Sequence, residues 1–274
     1  MAFFSHEGHQ VYYEVHGEAE KTLIILNGIM MSAASWQPFI KLLKEHVRVV
    51  LVDFFDQGKS SKTHVPYDQT LQVGLVKALI DHVRCSSGKM VLLGISYGGE
   101  IAMKVAVEAP EAVDALILAN TTDYTDPQLK AVGDAWISAA KTYDGRVFFK
   151  ATIPPIYSGG FYERQLEWLS AREKMFSELF KPEWYEAFIR LVISAENHDE
   201  RHRLSRIKVP TLVIGADQDQ ITPLRCQKRI AGAISNARFM VIPECGHASM
   251  YEKPHEFFAM VLGFIGTAKE TFEI

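Results

Sequence analysis

A serine fenced by glycines, in the stretch Gly94-Ile95-Ser96-Tyr97-Gly98, is placed to act as a nucleophile. A serine hydroxyl attacks poorly at neutral pH until a histidine takes its proton, and that histidine works better when a carboxylate fixes its tautomer. Later loops supply both residue types. His247 lies in CGHASMYEKP, after the apolar run ARFMVIPE, and the loop GADQDQITP after VPTLVIG offers Asp217 and Asp219. Such a set would attack an acyl carbonyl and form an acyl-serine. GxSxG alone is a weak signal, but its flanks sharpen it. KMVLLGI before Ser96 reads as a buried strand, and YGGEIAMKVAVEA after it as a helix that stops at Pro110, so Ser96 falls at a strand-to-helix turn. Glycines on both sides let the backbone turn tightly there. The first N–H groups of a helix have no intrahelical partner, which leaves the Tyr97 N–H free to donate to a developing oxyanion.

These residues need a scaffold that brings distant loops to one edge. Short runs rich in Val, Ile and Leu recur at residues 21–28, 47–54, 89–95, 113–120, 209–216 and 237–244, and predict six strands of a mostly parallel, buried sheet. Residues 3–15 read as an opening hairpin that turns at Glu7 and Gly8. Apolar residues at helical spacing fill SWQPFIKLLKEH, TLQVGLVKALIDHV, LRCQKRIAGAI and the closing EFFAMVLGFIGTAKETF. The alternation of strand and helix fails once, between about Thr121 and Arg206. There, aromatic residues sit among helix formers with no strand-like run, and Pro154 and Pro155 interrupt them. The pattern predicts an α/β core made of residues 1–120 and 207–274, with residues 121–206 inserted as a helical lid. Met30, Trp136, Phe149 and Tyr157 are the residues expected to line an apolar pocket beneath it.

Composition narrows the ligand. The chain has 274 residues, 48% of them hydrophobic and 23% charged, with a formal net charge of −4 and no block of like charges. This argues against a nucleic-acid or anionic-membrane partner and for a small, largely apolar substrate. No apolar run reaches the roughly 18 residues of a membrane span, and His6, Glu7 and His9 break any signal-peptide core. Cys85, Cys226 and Cys245 are three, without CxxC spacing, which fits reduced thiols and a cytoplasmic location. Cys245, beside His247, reads as a small packing residue. His198 and His202 are four apart in ENHDERHRL but lack a third ligand, so they read as a solvated helical face, and no metal or cofactor is expected. Nothing in the sequence specifies an oligomeric state.

With strand, serine turn, acidic loop and histidine loop in this order, the chain resembles the α/β-hydrolase fold family over nearly its whole length. The resemblance implies that Asp219 is the acid, because it lies four residues before Pro223 in a GxxDxxxP-like loop. It likewise implies that His247 is the base, because GHASMYEKPHEF is similar to the family's GHxxxxEKPxxF stretch. Ser96 would be the nucleophile. The family usually carries His-Gly after its third strand, followed by a backbone N–H that completes the oxyanion hole. Here the stretch is LNGIMMSAASW, with Asn27 in place of that histidine, Ile29 as the implied donor and Met30 as the second choice. DFFDQGKSS resembles the family's DxxGxGxS loop, a structural feature that contains Gln57 and Gly58. Serine at position 96 excludes the dehalogenase-like and epoxide hydrolase-like branches, which need aspartate there. The missing GGPG excludes the proline-iminopeptidase-like branch.

The resulting expectation is a serine hydrolase acting on a carboxylic ester, lactone or thioester with an apolar portion. Acyl transfer and cofactor-free C–C bond hydrolysis are alternatives on the same three residues. A ligand-binding signalling protein with slow turnover is the alternative from another class.

Overall fold

The apolar runs assemble into one eight-stranded sheet in a computed structural model that describes residues 2–85 and 88–267. The opening hairpin pairs β1 (Ala2–His6) with β2 (His9–His16) around Glu7 and Gly8, both at positive φ, and β2 joins the rest of the sheet antiparallel. From β3 (Thr22–Leu26) onward, neighbouring strands run parallel and each crossover carries a helix. Helix α1 (Gln37–Leu43) leads to β4 (Arg48–Val52), α2 (Gln69–Val83) to β5 (Met90–Ile95), and α3 (Tyr97–Glu108) to β6 (Ala115–Ala119).

After β6 comes the departure from alternation. Helices α4 (Pro127–Ala140), α5 (Gly145–Thr152), α6 (Gly159–Arg164), α7 (Leu166–Leu179) and α8 (Pro182–Ser194) follow without an intervening strand. Pro154 and Pro155 fall between α5 and α6, where the missing proline N–H and the fixed φ stop the helix. The neck of this insertion is closed by a single antiparallel bridge between Tyr124 and Asp199. The core then resumes with β7 (Thr211–Ala216), α9 (Leu224–Ala233), β8 (Ala237–Ile242), the single turn α10 (Ser249–Glu252) and α11 (Pro254–Thr267). The expected end of the last helix, at residues 268–272, lies outside the described residues.

Strand order is β1-β2-β4-β3-β5-β6-β7-β8. The two-residue side-chain period divides each central strand between two cores. Leu23, Ile25, Leu51 and Leu93 pack with Trp36, Phe257 and Phe258 on one face, while Ile24, Leu26, Val52 and Leu92 pack with Leu79, Ile101 and Ile230 on the other. Burial on both faces is why these strands read as continuous apolar runs. Because β3 to β8 all point one way, the loops after them gather at one edge, and the inserted helices join the core on the Trp36 face. No helix among the described residues is long and apolar enough to cross a membrane.

Candidate active site

The turn after β5 is built by close approach. A Cβ on Gly94 would lie 2.3 Å from the carbonyl oxygen of Gly98, and one on Gly98 would lie 2.2 Å from that of Leu26, so only glycine fits at either position. Between them Ser96 takes φ 53° and ψ −122°, a strained conformation worth about 1–3 kcal/mol. It is pinned by its own N–H on the Ala119 carbonyl at 3.0 Å and by α3, whose Gly99 N–H donates to the Ser96 carbonyl at 2.8 Å. The strain holds Oγ out at the strand edge, over the N-terminus of α3.

Three residues that lie far apart in the chain meet there. His247 Nε2 is 2.9 Å from Ser96 Oγ, and His247 Nδ1 is 2.8 and 3.0 Å from the two Asp219 oxygens. Asp219 is buried, and its remaining lone pairs are filled by the N–H groups of Ile221 and Thr222, the Asn120 amide and the Thr222 hydroxyl. Burial pushes its carboxyl pKa up, but the His247 charge and these hydrogen bonds outweigh that effect and hold it below its ordinary value. Asp217 is exposed and, among the described residues, accepts only from the Cys245 N–H, at 3.3 Å. Cys245 itself is fully buried, and burial raises its thiol pKa out of reach of ionisation.

Asn27 turns out to be a hub of the loop after β3. Its amide donates to the Val52 carbonyl at 2.7 Å and to Gln57 Oε1, and its oxygen accepts from the Trp36 indole at 2.8 Å. Gln57 in turn donates to the Gly28 carbonyl at 2.8 Å. A trans peptide points its N–H opposite its carbonyl, so this bond turns the Ile29 N–H away from Gln57. Neither the Ile29 nor the Tyr97 N–H donates to another group among the described residues.

Ser96 stands between two small cavities. One, of about 120 Å³, is shared with His247 and lined by Met30, Trp136 and Tyr157. The other, of about 70 Å³, runs past Ile29 and Tyr97 toward Glu100, again with Trp136 in its wall. Ile29, Met30 and Met31 also border an outer groove of about 340 Å³ against Phe180 and Trp184. Phe149 corrects the expectation. It lines none of these spaces and packs edge-on against Phe176, with ring centroids 5.4 Å apart, because that face of α5 is turned onto α7. The 198–202 reading is also corrected. The chain there is not helical but runs through the Asp199 bridge into a turn at residues 201–203, and His198 is buried with Nε2 on the Thr122 carbonyl at 3.1 Å. Burial takes its pKa down to about 3, leaving it a neutral core residue.

Sequence reasoning missed four contributors. Asn120 bridges Asp219 to the Ser249 hydroxyl, and its place right after β6 was the available signal. Glu252 accepts from the N–H groups of Gly246 and Ser158, both at 3.0 Å, and the His247 N–H donates to the Ile156 carbonyl at 2.7 Å. The His247 loop is thus fastened to the inserted segment. Glu100, in the first turn of α3, is buried. Burial raises its pKa to about 8 against the opposing Gln69 hydrogen bond and Lys104 charge. Arg172 lines the cavity of Ser96 from α7, and nothing in the sequence marked it.

Comparison with known proteins gives the same fold. The family model described as the alpha/beta hydrolase fold matches residues 21–254. The crystal structure of MGS-M2, an alpha/beta hydrolase enzyme from a Medee basin deep-sea metagenome library, is 39% identical, with a TM-score of 0.95 and full coverage of both chains. A candidate carbamate hydrolase, RutD, of Rhizobium rhizogenes is 27% identical over 95% of this chain and 99% of its own. The 2-hydroxy-6-oxo-6-(2'-aminophenyl)hexa-2,4-dienoic acid hydrolase of Metapseudomonas resinovorans is 25% identical over 96% of this chain and 90% of its own.

Proposed function

The chain belongs to the α/β-hydrolase fold family and is a hydrolase of that family, and from that premise we propose that it cleaves a carboxylic ester, lactone or thioester through an acyl-serine. The observation that carries the reading is the unbroken line from Asp219 through His247 to Ser96 Oγ, ending between two cavities. His247 Nε2 takes the Ser96 proton as Oγ bonds to the substrate carbonyl carbon, and Asp219 stabilises the resulting imidazolium. The carbonyl oxygen, now anionic, accepts from the Ile29 and Tyr97 N–H groups, each of which contributes on the order of a hundredfold or more in rate. Collapse breaks the bond to the leaving group, which takes the proton from His247. Water then repeats the sequence on the acyl-serine, giving up a proton to His247, releasing the acid and restoring Ser96. Residues 121–206 act as the lid, with Met30, Trp136 and Tyr157 forming the apolar walls.

Stoichiometric labelling by a fluorophosphonate, lost in Ser96→Ala, is the expected result; native protein that stays unlabelled overturns the reading. The relatives support a second reading. They include a candidate carbamate hydrolase and a hydrolase of a 2-hydroxy-6-oxo-dienoic acid, so the same three residues could act on a carbamate or a C–C bond. Rates on 4-nitrophenyl esters, a lactone, a thioester, a carbamate and a vinylogous 1,5-diketone, compared on one preparation, separate these.

A further inference from the structure

One cation stands in the wall of the Ser96 cavity with no anion to meet it. Arg172 lines both the inner cavity and the outer groove, so it stands between the two spaces. Its guanidinium carbon lies 4.3 Å from the centroid of the Trp168 ring and 5.7 Å from that of Tyr251, and its Nε is buried without a hydrogen bond. Aromatic faces attract a guanidinium but satisfy few of its five N–H donors. Among the described residues no carboxylate reaches it. The neighbouring Glu173 turns to Arg146 at 3.5 Å, and Glu252 is held by Ser158 and Gly246. Asp56, the one acidic residue in the groove wall among the described residues, is engaged by Arg190 at 2.7 and 2.9 Å. The inner cavity has no acidic residue in its wall among the described residues. The inner cavity, which Ser96 shares with His247, is therefore largely apolar with one uncompensated positive charge, held on a planar fork whose geometry matches a carboxylate.

We infer that Arg172 anchors a carboxylate that the substrate carries away from the bond being broken, so that the natural substrate is an anionic acyl compound. The inference rests on the acyl-serine reading above and adds the substrate's charge to it. Arg172 takes no part in bond making; it binds and orients.

The test compares kcat/KM within two pairs that differ only in charge, after subtraction of the uncatalysed rate. Mono-4-nitrophenyl glutarate is set against its methyl ester, and the pentanoate ester of 4-hydroxybenzoate against the corresponding methyl benzoate. The wild type should favour the anion in one pair. Arg172→Met should lower that anion-to-neutral ratio tenfold or more, with Arg172→Lys keeping part of it. Both members of a pair are read on one preparation, so the ratio does not depend on the fraction folded. Ratios in both pairs that stay within twofold in Arg172→Met overturn the inference. If the wild type hydrolyses neither pair, the ester reading fails alone and calorimetry with glutarate decides the anchor. Binding weakened tenfold by Arg172→Met supports it, and binding that is absent or unaltered overturns it.

Discussion

Asp219 shows how little of a residue's role lies in its type. Asp217, two positions earlier, is the same acid in the same loop, yet it points to solvent, while Asp219 is buried and accepts from His247, Asn120, Ile221 and Thr222. In the proposed mechanism the side chain's charge stabilises the imidazolium formed as Ser96 attacks. Asp219→Asn keeps the shape and removes the charge, and it is expected to lower kcat on a 4-nitrophenyl ester by about 10³–10⁴-fold. Asp217→Asn, measured alongside, should stay within about twofold, and equal losses in the two variants would argue against the assignment.

At the scale of elements, His247, the proposed base, is positioned from both sides. The loop after β8 hangs from the core strand at one end and is bonded to the inserted helices through Glu252, Ser158 and the Ile156 carbonyl. Each hydrogen bond to a charged group is worth about 1.5–3 kcal/mol. Glu252→Ala removes the carboxylate and leaves two N–H donors unpaired, so the loop and the start of α6 should open together. Amide exchange is expected to rise across residues 156–160 and 245–248 with no change across 90–100, while kcat falls about tenfold. Faster exchange confined to 245–248 would mean that the insertion does not hold the base.

The whole molecule carries a proton-linked liability in Glu100. Its pKa rises from an ordinary 4.5 to about 8 in the folded protein, chiefly through burial. Between those values the folded state keeps a proton that the unfolded state releases, so stability should fall as pH rises through this window. Glu100→Gln preserves the packing without the ionisation. Its Tm should exceed that of the wild type at pH 8 by about 2–8 °C, with the gap closing toward pH 5. Parallel Tm curves by scanning fluorimetry across pH 5 to 8 would refute this linkage.

The tight turn at Ser96, the hairpin at Glu7 and Gly8 and the parallel strands were legible because each is set by a local rule: glycines for close approach, a two-residue period, apolar runs for burial on both faces. The break in alternation at residues 121–206 was legible for the same reason, and so were the histidine and acidic loops that follow β8 and β7. Phe149, His198, Glu252 and Arg172 were not. An aromatic ring on an amphipathic helix packs or lines a cavity according to which helix lies behind it, and Phe176 lies behind Phe149. Whether an arginine is paired depends on carboxylates distant in sequence, and around Arg172 these are engaged elsewhere. The sequence alone determined which groups could do the chemistry and the edge at which they would gather. Burial and long-range hydrogen bonding, which exist only once the insertion packs on the core, decided which charges are left for a substrate to meet.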